Sequence, residues 1–253
     1  MLPRVMRLRL YVVHGSHPCA AVEKALTMKG LAYEVTEWPP PLHAPIQMAL
    51  FRARTVPGLK LDGEKVSGSR AIMRRLEQLV PDPPLFPADP DARARVEEAE
   101  RWGDEVFQPV ARELIWAGFT HQPGAMVSYG ENSRLPLPAS AIRLSAPLIA
   151  RLGAQLNRTG DDVVRSDLKA LPAQLDQIDA WIADGTIGDP DRPNAADLQL
   201  ASTIRLMLTL ADVRPLIEDR PCGDLARALF PEVDGELPAG ALPASSARSD
   251  TGR

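Results

Sequence analysis

Residues 81–90 contain five prolines in ten positions, and this segment divides the chain. Proline fixes φ and has no backbone N–H, so such a stretch cannot form a helix interior or a central strand. A stiff, extended linker is the expected structure. Short alternating patterns precede it and long helical patterns follow it. We therefore predict a domain over residues 7–80, the linker, an all-helical domain over residues 91–232 and a disordered tail over residues 233–253.

Composition narrows the class of protein. Of the 253 residues, 45% are hydrophobic and 25% are charged, which is ordinary for a globular protein and excludes a wholly disordered chain. The net charge of −4 argues against general nucleic-acid binding. We find neither an apolar run long enough for a membrane span nor a signal peptide. Two cysteines, Cys19 and Cys222, favour a cytoplasmic protein. The charge and the lack of a membrane span predict no nucleic-acid or membrane partner.

The patterns before the proline-rich segment predict an α/β domain. Residues 39–45 are proline-rich and are expected to form a loop. Asp62 and Gly63 mark a tight hairpin turn. The expected elements are a strand at 8–13, a helix at 19–29, a strand at 32–38, hairpin strands at 59–61 and 65–67, and a helix from Ser69. Their order is βαβ followed by ββα.

The second half predicts helices. Residues 91–107 have a helical pattern that Pro109 should kink or end. A further helical pattern passes through residues 171–182. Asn194 and Asp197 have the spacing of a capping box, with Asp in place of Glu, ahead of a helix at 198–208.

Ser16, His17, Pro18 and Cys19 stand between the first strand and the first helix. A helix N-terminus presents free N–H groups and a partial positive charge, and both favour a thiolate over a thiol. A hydroxyl or thiol there could lower the pKa of a bound thiol, or of itself. The alternative is that Ser16 is a turn residue and Cys19 a buried packing residue.

Two further segments are candidate peptide-binding positions. A cis bond before Pro57 would turn the backbone N–H and C=O of Val56 outward, toward a peptide ligand, although most such bonds are trans. At the start of the next helix, Gly68, Ser69 and Arg70 offer N–H groups, a hydroxyl and a cation to a carboxylate. The alternative for Ser69 is an ordinary N-cap. His14, His17 and Cys19 do not have a standard zinc spacing, so we predict no metal.

Taken together, this order of strands, motifs, proline-rich linker and helices resembles the glutathione transferase superfamily, in its bacterial type, over roughly residues 7–232. The resemblance implies an α/β thioredoxin-like domain that binds glutathione, followed by an all-α domain that shapes the electrophile pocket. It also implies a homodimer, with glutathione or another small thiol as co-substrate and no cofactor. By position, the catalytic residues are Ser16 and Cys19. The glutathione-binding residues are His17, Val56, Pro57, Gly68, Ser69 and Arg70.

One position departs from the family pattern. The family usually has Glu or Asp before the serine of the third helix, where it pairs with the γ-glutamyl amine, and this chain has Gly68 followed by Arg70. A different thiol or another anionic ligand is therefore an alternative to glutathione. The leading prediction is a transferase that joins a low-molecular-weight thiol to a hydrophobic electrophile. The alternatives are a thiol-disulfide or peroxide reductase that uses Cys19, and a non-catalytic ligand-binding or interaction protein.

Overall fold

The computed structural model describes residues 6–40, 42–135 and 137–243. The first domain contains a four-stranded sheet in the order β2-β1-β3-β4, in which β1 and β2 are parallel and the other neighbours are antiparallel. Its strands are β1 Leu8–Val12, β2 Glu34–Glu37, β3 Gly58–Leu61 and β4 Glu64–Ser67. Its helices are α1 His17–Met28, α2 His43–Phe51 and α3 Ser69–Leu79.

Side-chain alternation along β1 gives the sheet its two faces. Leu8, Leu10 and Val12 are buried, as alternation predicts for one face of a strand. Tyr11 points to the other face, where its ring packs edge-on against Phe51 of α2. The first domain therefore follows the predicted βαβ and ββα units, with one helix added.

That added helix, α2, corrects the sequence-based prediction. Residues 39–45 were expected to be a loop, but α2 begins at His43 and contains Pro45 as its third residue. Proline is tolerated in a first helical turn because its missing N–H would have no partner there.

The proline-rich segment also differs from a free, extended linker. Leu85 and Phe86 are buried, and the carbonyl of Leu85 accepts a hydrogen bond of 2.9 Å from the N–H of Ala195. The segment is therefore packed against the second domain.

The second domain is helical, as predicted. Its helices are α4 Pro90–Trp102, α5 Gln108–His121, α6 Ala139–Leu156, α7 Asp161–Ala183, α8 Ala195–Met207 and α9 Pro221–Leu229. A π-helical turn, Gly103–Phe107, joins α4 to α5 and leaves Pro109 in the first turn of α5. The helical pattern of residues 91–107 thus breaks just ahead of Pro109. Short 3₁₀ turns lie at Pro123–Gly130 and Arg214–Leu216.

Helix α8 is the centre of this domain. Every residue in it except Arg205 is buried, and it packs against α1, α4, α5 and α9. The predicted capping box is confirmed: Asn194 accepts from the N–H of Asp197, and Asp197 accepts from the N–H of Asn194. The box fixes where α8 begins, and therefore which of its side chains face the first domain.

The tail predicted to be disordered from residue 233 is packed as far as residue 243. Leu237 forms a bridge with Leu210, and Ala241 and Leu242 are buried. The carboxylate of Asp212 accepts from the N–H groups of Gly240 and Leu242. Two leucines among prolines, alanines and glycines are enough to attach this segment, whereas residues 244–253 lie outside the described residues. None of the described helices has the length and apolar character needed to cross a membrane.

Candidate active site between the two domains

The sheet register brings three predicted segments to one end of the sheet. Tyr11, near the end of β1, pairs with Gly58, the first residue of β3, and Gly58 also pairs with Ser67, the last residue of β4. The segments that follow β1, precede β3 and follow β4 therefore meet at one end of the sheet. These are the segments that carry Ser16, Val56 and Ser69.

Ser16 is the N-cap residue of α1 and is partly exposed. Its side chain makes no capping hydrogen bond to the helix, so the hydroxyl is not occupied by the backbone. The N–H of His17 has no acceptor among the described residues. A hydroxyl and an N–H group at a helix N-terminus can both donate to a bound thiolate.

Cys19 lies in the first turn of α1 and is only 3% exposed. Burial raises the pKa of its thiol to about 12, although a hydrogen bond with the Ser16 side chain acts in the opposite direction. At neutral pH the thiol is protonated and enclosed, which is the opposite of a reactive cysteine.

His17 is buried against the second domain. Its Nδ1 lies 2.9 Å from the hydroxyl of Thr203 on α8, and that hydroxyl already donates to the carbonyl of Gln199. The neutral imidazole therefore donates from Nδ1, and its buried Nε2 has no partner among the described residues. Burial, assisted by the positive charge of Arg112, lowers the pKa of His17 to about 3.

The Val56–Pro57 peptide bond is cis. Pro57 is buried, and its carbonyl accepts a 2.9 Å hydrogen bond from the N–H of Gly68. Within the described part of the chain, neither the N–H nor the C=O of Val56 has a hydrogen-bond partner. A peptide-like ligand could therefore pair with both groups, as a neighbouring strand would.

Gly68 and Ser69 begin α3. Gly68 has φ of 88°, a conformation that residues with a side chain rarely adopt. Ser69 is 3% exposed; its hydroxyl donates to Oε1 of Gln199 at 3.2 Å, and its N–H has no acceptor among the described residues. The N–H is therefore available to a carboxylate, while the hydroxyl contacts the second domain.

Arg70 does not lie free beside the ligand position. Its Nε is 3.3 Å from Glu100 on α4, and Arg74 contacts the same carboxylate at 2.7 Å. The Glu100 side chain is fully buried. We call Arg70, Arg74 and Glu100 the interdomain ion cluster, because it joins α3 of the first domain to α4 of the second.

Sequence reasoning missed the side chains that the second domain contributes. Arg112 on α5 is half-buried, its pKa is lowered by burial, and the described residues include no salt-bridge partner for it. Its guanidinium donates a long hydrogen bond, of 3.5 Å, to Oε1 of Gln108. Gln108 and Gln199 are buried and their Nε2 atoms lack partners in the described residues. We call His17, Gln108, Arg112 and Gln199 the cleft cluster.

Asp104 adds an acidic group to this boundary. It lies in the π-helical turn, directly after Gly103, which packs against Gln199. Burial raises the pKa of Asp104, and the charges of Arg70 and Arg112 oppose that rise. In the sequence, Asp104 and Arg112 are recognisable only as charged residues in helical segments, so they were not predicted as site residues. Neither here nor elsewhere in the described ranges are three His, Cys, Asp or Glu side chains grouped as metal ligands.

Comparison with known proteins agrees with this architecture. Residues 10–84 match the family model of the glutathione S-transferase N-terminal domain. No curated protein matches the sequence. Among solved structures, the beta-etherase LigF from Sphingobium sp. strain SYK-6 has a TM-score of 0.59 and 20% identity, over 79% of this chain and 84% of that chain.

Two further structures cover more of the chain. A glutathione S-transferase from Rhodospirillum rubrum F11 has a TM-score of 0.57 and 21% identity, over 88% of this chain and 90% of that one. A maleylacetoacetate isomerase from Anaeromyxobacter dehalogenans 2CP-1, with bound dicarboxyethyl glutathione, has a TM-score of 0.50 and 22% identity, over 88% of each chain. Residues 10–84 therefore match the N-terminal domain of glutathione S-transferases, and the chain shares the two-domain fold of these solved structures.

Proposed function

We propose that the protein is a glutathione-dependent transferase that joins the thiol of glutathione to an electrophile. Ser16 is the residue that activates the thiol. The observation that carries the proposal is a set of hydrogen-bonding groups at one end of the sheet that the backbone does not occupy: the Ser16 side chain, the N–H and C=O of Val56, and the N–H of Ser69. A γ-glutamyl-cysteinyl-glycine peptide matches these groups with its thiolate, its cysteinyl backbone and its γ-glutamyl carboxylate.

In the proposed reaction, the Ser16 hydroxyl and the N–H of His17 donate to the sulfur of glutathione and so favour its thiolate. The thiol proton passes to solvent, and the thiolate attacks an electrophilic carbon to form a carbon–sulfur bond. In a substitution the leaving group departs with its bonding electrons; in an addition the π electrons move to the neighbouring atom, which takes a proton from solvent. With a pKa of about 3, His17 is too weak a base to hold a thiol proton at neutral pH. His17 is therefore assigned to the contact with α8 and not to proton transfer.

Arg112 is assigned to the acidic part of the ligand. Glutathione carries two carboxylates, and Arg112 is a half-buried guanidinium without a carboxylate partner among the described residues. A bound carboxylate would supply the missing partner. This assignment gives the anionic ligand a contact in the second domain, whereas Arg70 is already occupied by Glu100.

The proposal disfavours Cys19 as a reductase nucleophile. A thiol with a pKa of about 12 and 3% exposure is present as thiolate in only a negligible fraction at neutral pH. Gly68 leaves a different small thiol as the alternative co-substrate, since no acidic residue stands beside Ser69 in sequence.

Ser16→Ala tests the proposal without knowledge of the electrophile. The pKa of bound glutathione is measured from the ultraviolet absorbance of its thiolate. We expect Ser16→Ala to raise that pKa by about one unit or more, since one unit corresponds to about 1.4 kcal/mol of thiolate stabilisation. Cys19→Ala is the matched control and should leave the pKa unchanged. If Cys19→Ala alone changes it, Ser16 is not the activating group.

A further inference from the structure

Helix α6 leaves a row of large apolar residues exposed. The residues that it buries are small: Ala146, Ala150, Gly153 and Ala154, with Gly153 lying against the ring of Trp116. Its exposed side carries leucines. Their exposed fractions are 86% for Leu144, 63% for Leu148, 37% for Leu152 and 54% for Leu156.

These four leucines form one continuous band. A spacing of four residues turns by about 40° at each step, so consecutive leucines lie side by side along about 18 Å of helix. α6 packs on α5, where Gly153 lies against Trp116, and on the 3₁₀ turn Pro123–Gly130, where Ile142 lies against Gly130. The leucine band faces away from both. Contiguous exposed apolar surface of this kind marks an interaction surface.

The charge of the same segment is also distinctive. Residues 132–160 contain four arginines and no Asp or Glu, in a chain whose net charge is −4. Arg143, Arg151 and Arg158 are exposed, and none of them forms a salt bridge within the described residues. The leucine band is thus bordered by unpaired cations.

We propose that α6 docks this protein on an anionic lipid surface, with the leucine band inserted among the acyl chains and the arginines at the phosphates. Apolar area and attraction to anionic headgroups together set the strength of such binding. The long stem of an arginine lets its guanidinium reach the headgroups beside a buried leucine. A second copy that places its own α6 against this one is the poorer occupant, because the two helices would bring arginine against arginine with no acidic residue in the segment.

Vesicle sedimentation tests this inference. Vesicles of phosphatidylcholine containing phosphatidylglycerol are compared with vesicles of phosphatidylcholine alone. We expect the wild-type protein to sediment with the anionic vesicles, and Leu148→Glu to lower the bound fraction by about tenfold or more. Arg143→Gln with Arg151→Gln should weaken binding to anionic vesicles and leave the weak binding to neutral vesicles unchanged.

Leu216→Glu is the matched control, because Leu216 is 39% exposed and lies outside α6. It should bind as the wild-type protein does. Circular dichroism establishes that each variant is folded. Equal sedimentation of wild-type protein and Leu148→Glu overturns the proposal. A dimer that Leu148→Glu converts to a monomer, measured by light scattering, overturns it in favour of a self-association surface.

Discussion

Two polar clusters lie between the domains, and they differ in how fully their groups are paired. In the interdomain ion cluster, the buried carboxylate of Glu100 has two guanidinium partners, at 3.3 and 2.7 Å. In the cleft cluster, Arg112 has no carboxylate and the Nε2 atoms of His17, Gln108 and Gln199 have no partner in the described part of the chain.

The difference separates stability from binding. Unpaired buried polar groups cost free energy, so they persist where a ligand or water completes them. The paired cluster attaches the domains to each other, and the unpaired cluster, at the same boundary, includes Arg112, which we assign to the ligand. Substitutions in the interdomain ion cluster should therefore lower stability, and substitutions in the cleft cluster should weaken ligand binding.

Glu100→Gln should produce the largest loss of stability. It removes the negative charge that two arginines share, and charge-assisted hydrogen bonds are worth about 1.5–3 kcal/mol. Since both guanidiniums are partly exposed, we expect the free energy of unfolding to fall by about 2 kcal/mol. Urea denaturation measures this change. A loss below about 0.5 kcal/mol would mean that the cluster does not hold the domains together.

Arg112→Gln should weaken ligand binding without a large loss of stability. We expect only a small change in stability, because Arg112 forms no salt bridge with a described residue and its attraction to Asp104 and Glu113 acts at longer range. Glutathione binding should weaken by about tenfold, the value of one charge-assisted hydrogen bond. Calorimetric titration measures the affinity. Destabilisation as large as that of Glu100→Gln would remove the distinction between the clusters.

Gly68 begins α3, between residues of the two clusters, and substitutions there test the cost of its backbone conformation. Its φ of 88° is unfavourable for any side chain, although a Cβ there would meet no atom within 4 Å. Gly68→Ala should therefore lower stability by about 1–2 kcal/mol through the backbone alone. Gly68→Glu, which restores the acid of the family pattern, carries the same strain. Equal stability of Gly68→Ala and the wild type in urea would contradict this.

The capping box of α8 tests whether the position of that helix matters to the cleft. Asn194→Ala should lower stability by about 1 kcal/mol, the usual value of an N-cap side chain. Because α8 carries Gln199 and Thr203, the chemical shifts of the His17 ring should change as well. If stability falls and the ring signals stay fixed, the box stabilises the helix without positioning the cleft.

The smallest effect concerns pH. Burial raises the pKa of Asp167 on α7 to about 7, and the hydrogen-bonded carboxyl of Glu113, next to Arg112, acts in the same direction. The folded state therefore holds this proton more tightly than the unfolded state does. Its stabilising contribution is complete below about pH 4 and is lost as the pH rises to about 7.

Asp167→Asn removes the repulsion between the two carboxylates. We expect its melting temperature to exceed that of the wild type at pH 8, and the difference to shrink toward pH 4. An advantage that is equal at both pH values would show that the raised pKa of Asp167 does not affect stability.

The sequence predicts the features that neighbouring residues determine, and it does not predict those that depend on how the domains pack. The β1 strand, the hairpin at Asp62 and Gly63, and the capping box at Asn194 are set by neighbouring residues, and all were predicted. α2 was missed because Pro45 reads as a helix breaker although it lies in a first turn.

The cleft cluster could not be predicted, because its members come from α1, α5 and α8, and their contacts depend on how the domains pack. Arg70 illustrates the same limit: the sequence gives a cation beside Ser69, and the distant Glu100 decides what that cation contacts. The homodimer, the cytoplasmic location and the roles of the site residues stay predictions.

Calorimetric titration of the wild-type protein with reduced glutathione tests the central claim most directly. The account predicts one saturable site per chain with a Kd below about 1 mM. Binding should be weaker in Ser16→Ala and essentially unchanged in Cys19→Ala, where the buried thiol alone is removed. Absence of saturable heat with glutathione, together with saturable binding of another small thiol, would contradict the claim and assign the cleft to that thiol.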